Sequence, residues 1–288
     1  GIKSVIAKFN GNEVKLNGLP TFTDKKFESV SDITFNTEGM TLNEGTNTVE
    51  VTVVNNSGVS SKDTYCVYVD TTAPVVTTFK FEDATSDKDK LLSFLTFGIY
   101  HNEAIKVTVS AEDDIEKASS GIDNYSEKNH AEIQLYSAEN QGKITAGEYS
   151  YNDDGVLSRT FTLACGETEF KQYMLTAKAW DNVHNVSASY TFEKPDKAED
   201  LYSKGLKAKQ SDSADTEVVT NTIAPIVTSI TSNAYGDDSV KYTDSENREW
   251  YSGDIQFSIS VKDSTDDDYH TGIKSVIAKF NGNEVKLN

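Results

Sequence analysis

Six oxygen-bearing side chains stand out in three separate stretches: Asp70 in "VDTTAP", Asp113 and Asp114 in "AEDD", and Asp181, Asn182 and Asn185 in "DNVHN". Carboxylates and side-chain amides are hard oxygen donors. Gathered in one place they suit Ca²⁺, which takes about 6–8 oxygens, better than a soft ion that asks for thiolate or imidazole. The same residues have a plainer use, because Asp and Asn in turns accept backbone N–H bonds and need no ion. Choosing between the two depends on whether the fold brings the three stretches to one point.

Other chemistry is poorly represented. The four histidines, at 101, 130, 184 and 270, show no paired spacing of the H-E-x-x-H kind, and neither a G-x-S-x-G elbow nor a glycine-rich phosphate loop occurs. Asp153 and Asp154 lie in "YNDDG", which reads as a hairpin turn and not as a glycosidase pair. Trp180, Trp250 and Tyr251 would make a sugar-binding platform if exposed together, but packing at a joint or over a strand end is the simpler expectation. With no catalytic constellation, the chain is expected not to be an enzyme.

Charge narrows the partners. Against 27 Lys and Arg stand 46 Asp and Glu, a net −19. Nucleic acid and anionic membranes need basic patches, so neither is an expected partner. No apolar run approaches the roughly 20 residues of a membrane span, so membrane insertion is not expected. Cys66 and Cys165 fall in different units of the repeat described below, and two buried free thiols are expected.

The elements that would position these residues are strands. "AIKVTVSAED" (104–113) and "DIQFSISVKD" (254–263) alternate apolar and polar residues, as do "TNTVEVTVVNN" and "QYMLTAKAWDN". Period-2 alternation with Gly, Asn and Asp punctuation marks half-buried antiparallel strands. One short helix is expected over 197–210, interrupted by Gly205. The predicted fold class is all-β.

The longest-range pattern is a repeat. "GIKSVIAKFNGNEVKLN" occupies residues 1–17 and recurs without change at 272–288, an offset of 271 residues. Self-similarity at a fixed period is the signature of repeat architectures. Within the period a second, divergent correspondence appears: "TTAPVVT" (71–77) with "TIAPIVT" (222–228), "SGI" (120–122) with "TGI" (271–273), and "AKAWDNVHNVS" (177–187) with "EVTVVNNSGVS" (50–60). Each period therefore holds two modules. Residues 73–223 are a complete module B with extra stretches at 81–103 and 194–215, expected to be surface loops. Residues 1–72 are the C-terminal part of a module A without its first strands, and 224–288 are the N-terminal part of the next copy of module A.

About seven short strands per module is the pattern of the Ig-like sandwich. The motif set "VDTTAP", "SGI" and "WDNVHNVS" resembles the bacterial Ig-like domains of giant tandem-repeat surface adhesins and biofilm-associated proteins. The resemblance implies extracellular rods of tandem β-sandwich modules, with "VDTTAP" as the joint between neighbours and calcium at such joints. Two features depart from it. The antibody Cys–Trp–Cys core is absent, with Trp180 on the outward parity of its strand, and module A reads "VTNTIAP" where a joint would carry Asp.

In an Ig-like sandwich the loops after the second and sixth strands lie at the pole where the chain arrives. That pole of module B would gather Asp70, Asp113, Asp114, Asp181, Asn182 and Asn185 as the Ca²⁺ site of the A–B joint. The matching pole of module A offers Asn221, Asp263, Asn55 and Asn56, a weaker set with two carboxylates replaced by amides, and Asp266, Asp267 and Asp268 nearby read as a solvated charge run. The function expected is a repetitive stalk or spacer of a bacterial cell-surface protein, extending a binding tip mechanically. Its partners would be neighbouring repeats or identical chains. Two alternatives stay open: a subunit of a self-assembling extracellular fibre or surface layer joined by strand exchange, and a ligand- or carbohydrate-binding adhesive module.

Overall fold

The computed structural model describes the chain except residues 23–26, 28, 85–92, 96–97, 114–118, 123–130, 138–143, 153, 197–199, 201–204, 264–270 and 288. The fold is all-β and predominantly antiparallel. No helix among the described residues is long and apolar enough to cross a membrane.

The N-terminal segment builds one four-stranded sheet from β1 (Ile2–Phe9), β2 (Asn12–Val14), β3 (Gly45–Asn55) and β4 (Ser60–Val69), in the order β2-β1-β3-β4. Its apolar cluster is small: Ala7, Phe9 and Val14 are buried, and Val49, Val51 and Val67 pack against them half-exposed. Cys66 is exposed on β4 and Cys165 half-buried, which corrects the expectation of two buried thiols. The reason is local to β4, which is the last strand of its sheet and most of whose side chains face solvent.

The middle segment contains β5 (Val75–Asp83), β6 (Ser93–Leu95), β7 (Gly98–His101), β8 (Ile105–Glu112), β9 (Glu132–Ser137), β10 (Ile144–Tyr151), β11 (Val156–Leu163), β12 (Phe170–Tyr173), β13 (Leu175–Trp180), β14 (Tyr190–Phe192), β15 (Leu206–Gln210) and β16 (Glu217–Asn221). Eight of these form one sheet in the order β10-β11-β8-β5-β15-β14-β13-β9, and four form a second in the order β12-β16-β7-β6. The long sheet turns back on itself, so that β13 lies against β5 and β9 against β8. One core results, filled from every side.

Alternation does the sorting. In β8 Ile105, Val107, Val109 and Ala111 are fully buried, while Lys106, Thr108 and Ser110 point outward. On that outer face the hydroxyls of Thr108 and Thr160 meet at 2.9 Å and those of Ser110 and Ser158 at 2.8 Å, each pair directly opposite in the β8–β11 register. In β5 the inward set is Val76, Phe79 and Phe81, and the phase change falls at an irregularity between Val76 and Thr78. Phe192 closes on Phe79 and Phe81 with ring centroids 5.7 and 5.0 Å apart, a separation at which aromatic pairs attract beyond the area they bury.

Two expectations are corrected here. Residues 206–210 of the proposed helix form β15, pairing with β5 at Leu206↔Phe79 and with β14. "LKAKQ" alternates with period 2, and Gly205 precedes the strand at φ +81, where any Cβ would come 3.3 Å from the Phe79 carbonyl oxygen. The two extra stretches are not mere surface loops. The 81–103 stretch supplies β6 and β7, burying Ile99 and Tyr100, and the 194–215 stretch supplies β15. Finally, β7 and β16 run parallel, in register from Glu217↔Gly98 to Thr220↔His101.

The C-terminal segment has three separate two-stranded pieces: β17 (Ile226–Ala234) with β20 (Ile255–Lys262), β18 (Lys241–Thr243) with β19 (Glu249–Tyr251), and β21 (Ala278–Phe280) with β22 (Asn283–Val285). Here the apolar set of β20, Ile255, Phe257 and Ile259, stays half-buried or exposed, and no second sheet among the described residues covers it.

Candidate metal centre

The chain passes from β4 to β5 through Asp70–Pro74, and this joint is held from both sides. From the preceding sheet the Glu44 carboxylate accepts the Thr71 backbone N–H at 2.9 Å, the Thr71 hydroxyl at 2.6 Å and the Thr72 hydroxyl at 3.2 Å. The Thr71 hydroxyl and amide together hold the Glu44 carboxyl down at about 2. From the following unit, Asp70 Oδ2 accepts the Ser120 N–H at 2.6 Å, and Asn185 Nδ2 donates to the Asp70 carbonyl at 3.1 Å. Asp70 Oδ1 accepts the Thr72 N–H at 3.0 Å, closing the linker into an Asx turn.

Three carboxylates converge at this point. One oxygen each from Asp70, Asp113 and Asp181 lies within 4.8 Å of the other two, with Asp113 and Asp181 buried and Asp70 half-buried. Asp113 follows β8, and its Oδ2 accepts the Gly121 N–H at 3.1 Å. Asp181 follows β13. Its Oδ1 caps the turn by accepting Val183 N–H at 2.9 Å and Asn185 N–H at 2.8 Å, while Oδ2 accepts Asn185 Nδ2 at 2.7 Å. His184 takes φ +70 inside that turn. Asn182 reaches across to donate to the Ser120 carbonyl at 3.0 Å. Asp114 lies outside the described residues.

Turn capping and convergence are therefore both present. Capping uses part of each carboxylate, and an ionised carboxylate has about four acceptor sites to share. The remainder is a cluster of negative charge with little exposure, and no Lys or Arg among the described residues pairs with Asp70 or Asp181. Buried like charges are costly without a counter-charge. The Ser120 hydroxyl is buried beside them with no hydrogen-bond partner among the described residues. An oxygen-only donor set with one unsatisfied hydroxyl fits a hard divalent cation. The quoted motif "SGI" contained Ser120, but its place beside the carboxylates depends on the fold and not on spacing.

The second candidate set repeats this network in two pieces. Asn221 Oδ1 accepts the Ile223 N–H at 2.9 Å, as Asp70 does with Thr72, and Asn221 Nδ2 donates to the Thr271 hydroxyl at 3.0 Å. Asp263 Oδ2 accepts Thr271 and Gly272 N–H at 2.7 and 2.8 Å, as Asp113 does with Gly121. At the other end of the chain, Asn55 Oδ1 accepts Ser57 and Val59 N–H at 3.0 and 2.9 Å, the pattern of Asp181 with Val183 and Asn185. Asn56 N–H donates to the Gly1 carbonyl at 2.9 Å, as Asn182 N–H does to Gly121 at 3.1 Å. No hydrogen bond among the described residues joins Asn55 or Asn56 to Asn221 or Asp263, and Asp266–Asp268 lie outside the described residues. The same bonds stand whole in the middle of the chain and divided at its ends.

No family model, no curated protein and no solved structure matches the chain.

Proposed function

We propose that the chain carries one period, with a seventeen-residue overlap, of a tandem array of Ig-like β-sandwich modules, serving as the stalk or spacer of a bacterial extracellular, cell-surface protein of the adhesin kind. The observation that carries this reading is the divided network. The joint at Asp70 meets the loop and turn of residues 73–223 in one network, while 1–72 and 224–288 carry the complementary portions of a second unit. A second unit is completed when 18–72 follows 224–288, which is the order a repeat of 271 residues provides. The work is mechanical, and catalysis has no place in it.

Calcium at the joint suits that role. Asp70 belongs to the linker, Asp113 and Asp181 to two loops of the following module, so an ion held by all three removes hinge freedom between neighbours. Residues Ser120, Asn182 and Asn185 would steady those ligands. At the second joint two carboxylates are amides, which still coordinate but bring no charge to offset the cation's desolvation. That joint is the weaker one.

Single-molecule stretching of an array of several periods tests the stalk reading. The expected record is a contour length that grows linearly with the number of periods, with two unfolding events per period. An array whose extension does not increase with added periods contradicts it. The fibre alternative draws on the exposed apolar face of 224–288, which includes Phe257, Ile277 and Phe280. If chains exchange strands, sedimentation of the 288-residue chain shows assembly that grows with concentration; a monomer throughout removes that alternative.

A further inference from the structure

A second cluster of ligand-type side chains lies at the opposite pole of the middle unit. Asp83 ends β5, His101 ends β7, and Glu103 stands two residues further on, before β8. One ligand atom from each lies within 4.8 Å of the other two. The β5–β8 register runs from Val75↔Glu112 at the joint to Asp83↔Ile105 here. With strands rising about 3.3 Å per residue, this pole is some 25 Å from the Asp70 cluster, so the two cannot share an ion.

The His101 side chain is 1 % exposed, and its Nε2 is 3.1 Å from Asp83 Oδ1. Besides this contact Nε2 makes no hydrogen bond among the described residues. An imidazole nitrogen and a carboxylate oxygen at this separation match two ligands on one ion. Bonds of about 2.0–2.2 Å at tetrahedral or octahedral angles leave neighbouring donors roughly 2.9–3.5 Å apart, which brackets the distance seen. The backbone is already set for it, because Ala84 N–H donates to the Ala104 carbonyl at 3.2 Å and ties the two stretches together beside the cluster.

The geometry points to a binding site for a divalent first-row transition ion, Zn²⁺ foremost, formed by Asp83, His101 and Glu103. Imidazole with two carboxylates is a borderline donor set that favours such ions, whereas the all-oxygen joint favours Ca²⁺. Three protein ligands leave one position of a tetrahedral ion for water. The site joins the last residue of β5, in the eight-stranded sheet, to the last residue of β7, in the four-stranded sheet. It thus pins the two sheets at the pole where β16 leads out of the unit.

Co²⁺ is the probe, because its visible absorption reports coordination. The 288-residue chain, stripped with chelator and kept in millimolar Ca²⁺ to fill oxygen sites, is titrated with Co²⁺ and then Zn²⁺. The expected result is one equivalent of Co²⁺ with d–d bands, displaced by Zn²⁺ and not by Ca²⁺. His101→Gln and, independently, Asp83→Asn should each weaken binding at least tenfold, while His184→Gln leaves it unchanged. Far-UV circular dichroism identifies any variant that fails to fold, and Glu103→Gln then stands in for it. Absence of Co²⁺ bands in the parent chain overturns the proposal, as does full binding in folded His101→Gln or Asp83→Asn.

Discussion

Residues 1–17 and 272–288 are the same seventeen residues in two settings. Both copies make the same hairpin. Asn10-Gly11 and Asn281-Gly282 have φ of 48 and 82 against 48 and 85, and the registers Ala7↔Val14 and Phe9↔Asn12 recur as Ala278↔Val285 and Phe280↔Asn283. Asn-Gly at positive φ is the preferred two-residue turn, and it forms wherever it is written. Beyond the turn the copies part. The first continues as an eight-residue strand because β3 pairs with it from Ile2↔Asn55 to Phe9↔Val49. The Asn10 side chain adds bonds to Asn47 and to the Thr48 amide. The second stops at three residues. Phe9 is 4 % exposed and Phe280 53 %, Val14 8 % and Val285 40 %. With sequence held constant, the difference is the work of the partner strand and of the face that Val49 and Val51 provide.

The largest change should come from supplying that partner. When residues 18–72 are appended after Asn288, Phe280, Val285 and Phe257 gain a surface to pack on, at about 1.5–3 kcal/mol for each large apolar side chain fully buried. Calorimetry should then show a further cooperative transition, and binding of a hydrophobic dye should fall. An unchanged thermogram would break the comparison.

The same substitution in the two copies sharpens it. Phe9→Ala should destabilise the N-terminal sheet by roughly 3–5 kcal/mol, the usual cost of emptying a buried Phe site. Phe280→Ala in the 288-residue chain should stay within about 0.5 kcal/mol, as exposed changes do. Hydrogen exchange of the Val51 and Val285 amides reads the two effects separately. Equal costs at the two sites would mean that the strand context does not matter.

Calcium extends the contrast from strands to joints. An ion bound only by the folded middle unit stabilises it by about 2.7 kcal/mol at a free concentration 100 times Kd. Its melting transition should rise with Ca²⁺ and lose that rise in Asp113→Asn, while the terminal segments, whose matching residues are Asn221 and Asn55, move little. Shifts of equal size in all segments would overturn the charge-count argument.

The smallest effect concerns acid. Glu44 titrates at about 2 because Thr71 donates to it twice. A carboxyl whose folded value is depressed contributes stability that is fully present above the ordinary value of 4.5 and is lost as pH falls through about 2. The Thr71 amide should therefore lose protection, measured against its intrinsic exchange rate, across that window, and Glu44→Gln should flatten the dependence. Unaltered acid dependence in Glu44→Gln would place the cause elsewhere.

Much of this was legible in the sequence. The alternation in 105–111 and 175–179 marks strands, which the structure shows, and the Asp of "VDTTAP", the Asp after β8 and the Asp of "DNVHN" do meet. What was hidden depended on contacts made at long range. The stretch 206–210 resembled a helix until β5 offered it an edge, and the 81–103 stretch looked like a loop although its Ile99 joins the core between sheets. His101 had no sequence neighbour to pair with, because its partner Asp83 is reached only across the two sheets.

The central claim is that 272–288 is the same strand as 1–17 awaiting the same partner. Cross-strand nuclear Overhauser effects in a chain where residues 18–72 follow Asn288 test it most directly. The account predicts contacts from Ala278 to the appended Val51 and from Phe280 to the appended Val49, reproducing the Ala7↔Val51 and Phe9↔Val49 register. Contacts confined to the hairpin pairs Ala278–Val285 and Phe280–Asn283, with the appended residues unstructured, would contradict it.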